Sequence, residues 1–219
     1  MSSGFDKIAP FYGILESFLF GSKLQQMRCV YLDRLSERRH IVLIGEGTGM
    51  FLERLLEVNP NASVTVVEQS AGMIERSRNR VAEKDSSRVH FLKVSLQEFK
   101  PVRRFDAVCT FFFWDCFEES QIKIMLPVVS QCVERESLWM DVDFFEAQKG
   151  VSTTISWQFV LIRMLYGFFR LAAGIEAGQV VEIEPLAKQN GFFVTSSHMD
   201  ETLPIRARIF QQRNLAKSL

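Results

Sequence analysis

The chain has 219 residues, 47% of them hydrophobic, and its 26 lysines and arginines are balanced by 26 aspartates and glutamates. That length supports one well-buried core and not two comfortable domains, so residues 1–219 are expected to form a single domain. A sequence pI of about 6.8 and the lack of any basic cluster interleaved with aromatics exclude a nucleic-acid footprint, and with it RNA or DNA as substrate. Cys29, Cys109, Cys116 and Cys132 show no paired spacing, and His40, His90 and His198 lie far apart, so neither a disulfide framework nor a metal site is indicated. No charged-then-apolar export signal opens the chain, which places it in the reducing cytoplasm as an expectation.

In chain order, an apolar and aromatic segment from Ile8 to Leu19 continues through Lys23 to Leu35 as an amphipathic helix and ends in Glu37-Arg38-Arg39. Residues 1–36 thus read as an N-terminal helical lid. The apolar run Ile41-Val42-Leu43-Ile44 then breaks into Gly45-Glu46-Gly47-Thr48-Gly49, after which Met50, Phe51, Leu52, Leu55 and Leu56 fall at helical spacing. A second apolar strand, Ser63 to Val67, follows Asn59-Pro60-Asn61 and stops on Glu68. Glycines let the backbone approach a ligand, and the helix they open points free N–H groups at it. A carboxylate at the tip of the next strand can accept both hydroxyls of a ribose, so the unit suits a nucleoside. Met50 stands where the dinucleotide fingerprint needs its third glycine, and the Gly-Lys-Ser/Thr ending of a phosphate-cradling loop is absent.

With a G-x-G-x-G spacing and an acid at the next strand end, the sequence resembles the class I S-adenosylmethionine-dependent methyltransferases. The resemblance is to the small-molecule branch that includes the ubiquinone and menaquinone biosynthesis enzymes. Phe5-Asp6-Lys7-Ile8-Ala9-Pro10-Phe11-Tyr12 is similar to the FDxIAxxYD opening of that branch. The resemblance implies an α/β fold: a Rossmann-like, seven-stranded, mostly parallel sheet with helices on both faces and a final antiparallel hairpin. It implies an enzyme that uses S-adenosyl-L-methionine, held by Gly45, Glu46, Gly47, Gly49, Glu68, Gln69, Met73, Ser95, Leu96 and Phe111. Tyr12, in the box that closes over cofactor and substrate in that family, is a catalytic candidate; the alternative is that it packs the first helix onto the sheet. The chain departs from the pattern at Leu43, where an acid is common, and at Ser95-Leu96, where an aspartate usually binds adenine. Glu46 either replaces the missing acid or faces solvent at a helix start, where a carboxylate is favourable.

Further on, Ala71 to Ala82 reads as a surface helix capped by Ser70, and Val89 to Val94 as a short buried strand. The strand Phe105 to Phe111 runs into Phe112-Phe113-Trp114-Asp115-Cys116-Phe117. Ligands of open α/β sheets bind beyond the carboxyl ends of the strands, so this cluster is expected to line the site, with Phe113 and Trp114 against the acceptor. Methyl transfer needs alignment and exclusion of water, and a base only where the nucleophile must lose a proton. Asp115 is the candidate base; otherwise it caps the helix that follows. That helix runs from about Ser120 to Arg135 and leads to a strand, Ser137 to Phe144, whose alternation puts Asp141 and Asp143 on one face with Trp139. Asp143 either orders a substrate or accepts from neighbouring loop amides.

Residues 150–175 form an insertion, expected as a helix. Its core from Ser152 to Ala173 has the length of a membrane span, but Arg163 and Arg170 interrupt it and interfacial anchors are missing, so it does not read as transmembrane. Arg163, Gly167, Arg170 and Gly174 make one polar stripe. Such a helix fits a roof over the acceptor, with Arg163 and Arg170 as substrate contacts, a homodimer interface, or a peripheral membrane contact. A helix from Val181 to Gln189 stops at Asn190-Gly191, and two strands, near Phe192 to His198 and Pro204 to Gln211, close the chain as a half-exposed edge pair. The leading function is methyl transfer to a small, lipophilic or aromatic acceptor. Other S-adenosylmethionine chemistry on the same scaffold, cyclisation or decarboxylation, and a non-catalytic binding role stay open because fold does not set chemistry.

Overall fold

The run at Ile41–Ile44 becomes an interior strand because both of its faces are apolar: Ile41 and Leu43 enter one core layer, Val42 and Ile44 the other, all at 1% exposure or less. The computed structural model describes residues 22–145 and 180–212; Tyr12, Arg163, Arg170 and the whole insertion lie outside the described residues. Within them the helices are α1 (Lys23–Cys29), α2 (Met50–Val58), α3 (Ala71–Arg80), α4 (Glu119–Cys132) and α5 (Ile183–Gln189). The strands are β1 (His40–Ile44), β2 (Ser63–Glu68), β3 (Val89–Lys93), β4 (Phe105–Phe111), β5 (Val133–Phe144), β6 (Phe192–Met199) and β7 (Ile205–Gln212).

The strands form one seven-stranded sheet in the order β3-β2-β1-β4-β5-β7-β6. The first five pair in parallel, while β7 lies antiparallel between β5 and β6. This is the expected mostly parallel sheet with its closing hairpin. One core layer joins α1 and α2 to the sheet through Met27, Phe51, Leu52 and Leu55. The other joins α4 and α5 through Ile122, Leu126, Leu186 and the ring cluster Trp114, Trp139, Phe192 and Phe210. Leu35 is fully buried after a tight 3-10 turn (Leu32–Leu35), where sequence periodicity suggested one continuous helix from Lys23.

Strand order overturns two local expectations. β3 was expected to be buried, but it is the edge of the sheet and its residues beyond Val89 are largely exposed. β7 was expected in a half-exposed edge pair, yet it is interior, and β6 takes the edge. Arg208 of β7 is therefore only 2% exposed and must be paired. Its Nη2 and Nε donate to Asp141 Oδ2 at 2.8 and 3.2 Å, and Nη1 donates to Glu182. Asp141 shares a buried face with Trp139, as the alternation predicts; Trp139 donates its indole N–H to Thr110, whose hydroxyl donates to Asp141 Oδ1.

β5 also starts earlier than its apolar pattern suggests. A register shift opposite Phe105 and Ala107 and a positive φ of 67° at Glu136 break its first turn of pairing. The Ser137 hydroxyl closes that irregularity by accepting from Glu134 N and donating to Phe105 O, both at 2.7 Å. No helix among the described residues is long and apolar enough to cross a membrane.

Candidate active site

The β1 to α2 connection turns on positive φ at Gly45 (67°) and Gly47 (68°), a conformation that costs any residue with a Cβ. Gly45 N donates to Val67 O at 2.9 Å, which ties the loop to the tip of β2. A Cβ at Gly45 would lie 2.5 Å from the Phe113 ring, so glycine is what lets the aromatic cluster after β4 close onto the loop. At Gly47 nothing lies within 4 Å of such a Cβ, leaving open space at the cavity wall where a ligand can meet bare backbone.

Two carboxylates organise this end of the sheet. Glu68, ending β2, accepts from Ser70 N at 2.8 Å and from Gly47 N at 3.3 Å, and Ser70 in turn caps α3 by accepting from Met73 N. Glu46 turns inward instead of facing solvent: its Oε1 accepts from Phe51 N and Leu52 N, both at 3.0 Å, and satisfies the opening turn of α2. Burial pushes the Glu46 carboxyl up to about 7, against the lowering effect of those N–H groups and of Arg28, and with a further push from Glu68. Arg28 of α1 reaches the same cavity with its guanidinium 5.0 Å from the Phe112 ring centroid.

Phe112 has φ 50°, a left-handed conformation rare for a bulky residue, and its N–H is spent on Val142 O at 2.7 Å. The kink throws Phe113 over the loop and starts a 3-10 turn at Trp114–Cys116. Asp143 Oδ2 accepts from Trp114 N and Asp115 N at 3.0 and 3.1 Å, and Oδ1 from Phe144 N. It therefore caps a turn rather than facing a ligand, and burial, with Asp115 and Asp141 nearby, pushes its carboxyl well up. Trp114, at 1% exposure, is core and donates its indole N–H to Thr110. Asp115 is also buried, accepts from the Cys116 thiol at 3.4 Å, and is not among the residues that line the cavity.

The cavity these elements enclose holds about 300 Å³ at the carboxyl ends of β1, β2 and β4. Every cofactor residue expected from the sequence lies on its wall except Gly49, which starts α2 and packs against Ser77. Of the expected acceptor contacts Phe113 lines it, while Trp114 and Asp143 do not. Ser95 lines it, with its hydroxyl donated to Glu98 Oε2 at 2.7 Å. Phe112, Cys116 and Phe117 of the expected aromatic cluster line it too, whereas sequence reasoning missed Arg28 and Gln121, which also line it. Arg28 carries no local signal beyond standing in an amphipathic helix.

Residues 41–136 match the family described as the methyltransferase domain. Over that span the chain is similar to the class I methyltransferases. S-adenosylmethionine is the cofactor of this class. Two malonyl-[acyl-carrier protein] O-methyltransferases of Ilyobacter polytropus are similar to it, at 24% identity over 79 residues and 26% over 94. Those matches cover 36% and 43% of this chain and only 30% of each relative. Among solved structures, the mitomycin 7-O-methyltransferase MmcR superposes with a TM-score of 0.68 at 16% identity, over 88% of this chain and 55% of that one. The N-methyltransferase NodS from Bradyrhizobium japonicum gives 0.61 at 14% identity, over 88% of this chain and 98% of its own. At such identities the likeness is one of fold. The glycine loop and the strand-end acid lie at the position from which open α/β sheets bind ligands.

Proposed function

We propose that this protein transfers a methyl group from S-adenosylmethionine to a small, lipophilic or aromatic acceptor. The observation that carries the reading is one cavity shared by the open backbone at Gly47, the Glu68 carboxylate and the Phe111 to Phe113 wall. In this reading Glu68 takes the ribose hydroxyls, and Ser95 and Leu96, beyond β3, take the base. When bound, the cofactor supplies an electrophilic methyl on a sulfonium. Phe112, Phe113 and Phe117 offer that methyl an apolar wall that excludes water and aligns the acceptor. An acceptor that arrives as a carboxylate or phenolate needs no base, which is consistent with Asp115 standing behind the wall. Tyr12 is kept in this reading as the lid residue over the site, and Arg163 and Arg170 as the partners of an anionic acceptor. Arg163→Ala or Arg170→Ala is expected to raise the acceptor KM and leave cofactor affinity unchanged; an unchanged KM in both removes the arginines from the acceptor site.

The cofactor assignment is tested by calorimetry with S-adenosylhomocysteine. Hydrogen bonds to a charged acceptor contribute about 1.5–3 kcal/mol, so Glu68→Ala is expected to weaken binding by roughly 10- to 100-fold. Because Glu68 also holds Gly47 N and Ser70 N, Glu68→Gln serves as the gentler variant, keeping an acceptor while losing the charge. Wild-type affinity in both variants would overturn the role of Glu68. Counting methyl groups on the product separates methyl transfer from cyclisation or decarboxylation.

A further inference from the structure

A second cavity, also of about 300 Å³, opens at the amino ends of β1, β2 and β4. Strand register explains its position. His40 pairs with Ser63 and Thr65 with His90, and alternation puts Leu92 on the face of His90, so these five side chains share one face of the sheet. Farther along the sheet α4 and α5 cover that face, but the connection from β3 to β4, residues 94–104, contains no helix to cover it here. The connection makes a single turn, in which Phe99 N donates to Ser95 O at 3.0 Å, and then lays Phe99, Lys100, Val102 and Arg103 along one wall of the cavity.

The lining sorts into an apolar body and a cationic rim. Phe99 and Phe105 are buried, whereas Leu92 is 40% exposed and Val102 fully exposed, so this groove holds apolar surface in water. Lys100 and Arg103 stand exposed beside it. Arg103 Nη1 donates to His40 Nδ1 at 3.0 Å, which fixes the guanidinium beside the start of β1, and the Lys100 and His90 side chains have no partner among the described residues. No carboxylate or thiol lines the groove. Asp106 is spent on the entry to β1, where it accepts from Arg39 N and His40 N at 2.7 and 3.0 Å. A metal ion therefore finds no ligand set here, and an anion meets no opposing charge.

We propose that this groove is a second ligand site, which takes a small molecule carrying one carboxylate on a flat apolar ring body. Phe99, Phe105 and Leu92 cover the rings, and Arg103 and Lys100 take the carboxylate, the guanidinium presenting a planar fork that matches it. The volume is at the small end of ligand pockets, which favours a bicyclic acid over a long chain or a polymer. The groove shares no lining residue with the cavity at the carboxyl ends of the strands, so this site does not depend on the methyltransferase reading.

The three histidines of the chain locate a bound ring without any label. His40 and His90 line the groove, while His198 lies on β6 at the opposite edge of the sheet. The test titrates 2-naphthoate into the whole chain and follows the imidazole protons by NMR. Ring currents are expected to move the His40 and His90 signals together, with one dissociation constant of about 1 mM or tighter, and to leave His198 in place. 2-Naphthamide keeps the rings and lacks the charge, and it is expected to bind roughly 10-fold more weakly. The double variant Lys100→Gln/Arg103→Gln changes two exposed side chains. It is expected to bring naphthoate down to the affinity of naphthamide while binding naphthamide as wild type does. Unmoved His40 and His90 signals overturn the site, as do equal shifts at all three histidines. Equal affinity of wild type for the two ligands, or a naphthoate affinity unchanged in the double variant, overturns the role of the cationic rim and with it the proposal.

Discussion

Arg208→Ala is expected to destabilise the protein by about 3–5 kcal/mol, the usual cost of removing one partner of a buried ion pair. Arg208 and Asp141 have side-chain exposures of 3% and 0%. Burial alone would weaken the Arg208 charge, but the Asp141 and Glu182 carboxylates outweigh it and hold the guanidinium above its ordinary pKa. Without Arg208, Asp141 keeps one bond, from the Thr110 hydroxyl. That hydroxyl cannot be replaced readily, because its oxygen already accepts from the indole N–H groups of Trp114 and Trp139 at 3.2 and 2.9 Å. The loss is a stranded carboxylate, so its size depends on pH. Burial raises the Asp141 pKa in the folded state, and in the variant nothing of opposite charge offsets it. The folded variant then holds a proton that the unfolded chain has given up, and its stability falls as pH rises above the ordinary aspartate range. Urea unfolding should therefore show a smaller deficit at about pH 5 than at about pH 8, with part of the loss recovered in Asp141→Asn/Arg208→Met. A loss below about 1 kcal/mol at both pH values, the scale of an exposed pair, would overturn this account.

The second large effect is expected at Gly49. Its φ is 84°, and a Cβ there would stand 2.6 Å from Ser77 Oγ and 2.7 Å from Ser77 Cα. Ser77 is fully buried and its hydroxyl has no partner among the described residues, so it sits in a contact already closed by the backbones of α2 and α3. Gly49→Ala carries a left-handed conformation, about 1–2 kcal/mol, and an overpacked helix contact, about 1–3 kcal/mol more. Gly47→Ala is the control, with φ 68° and nothing within 4 Å, so it carries the conformational cost alone. Unfolding curves should place Gly49→Ala well below Gly47→Ala; equal losses would mean that α2 and α3 can separate to admit a methyl group. Gly49 was expected to touch the cofactor, and its place in the structure makes it a packing glycine instead.

What the sequence determined by itself was local. Ile41 to Glu68 could be read as strand, turn, helix and strand because apolar periodicity and glycine spacing act over a few residues, and both survive in β1, α2 and β2. The Ser70 cap and the stop at Gly191, φ 83°, were legible for the same reason. The tertiary structure decided everything that depends on which strand lies beside which. β3 reads like a buried strand, and only its place at the end of the sheet exposes it. Arg206, Arg208 and Phe210 read like an exposed face, and only the insertion of β7 between β5 and β6 buries Arg208 against Asp141, 67 residues away. Asp115 has the sequence position of a base, but after the kink at Phe112 it is buried and is not among the residues that line the cavity. Arg28 has no motif at all and reaches the site because α1 packs against α2 and β7. Periodicity specifies which face of an element is apolar; it carries no information about the neighbour that face will meet, and charge pairing, edge exposure and cavity walls all follow from the neighbour.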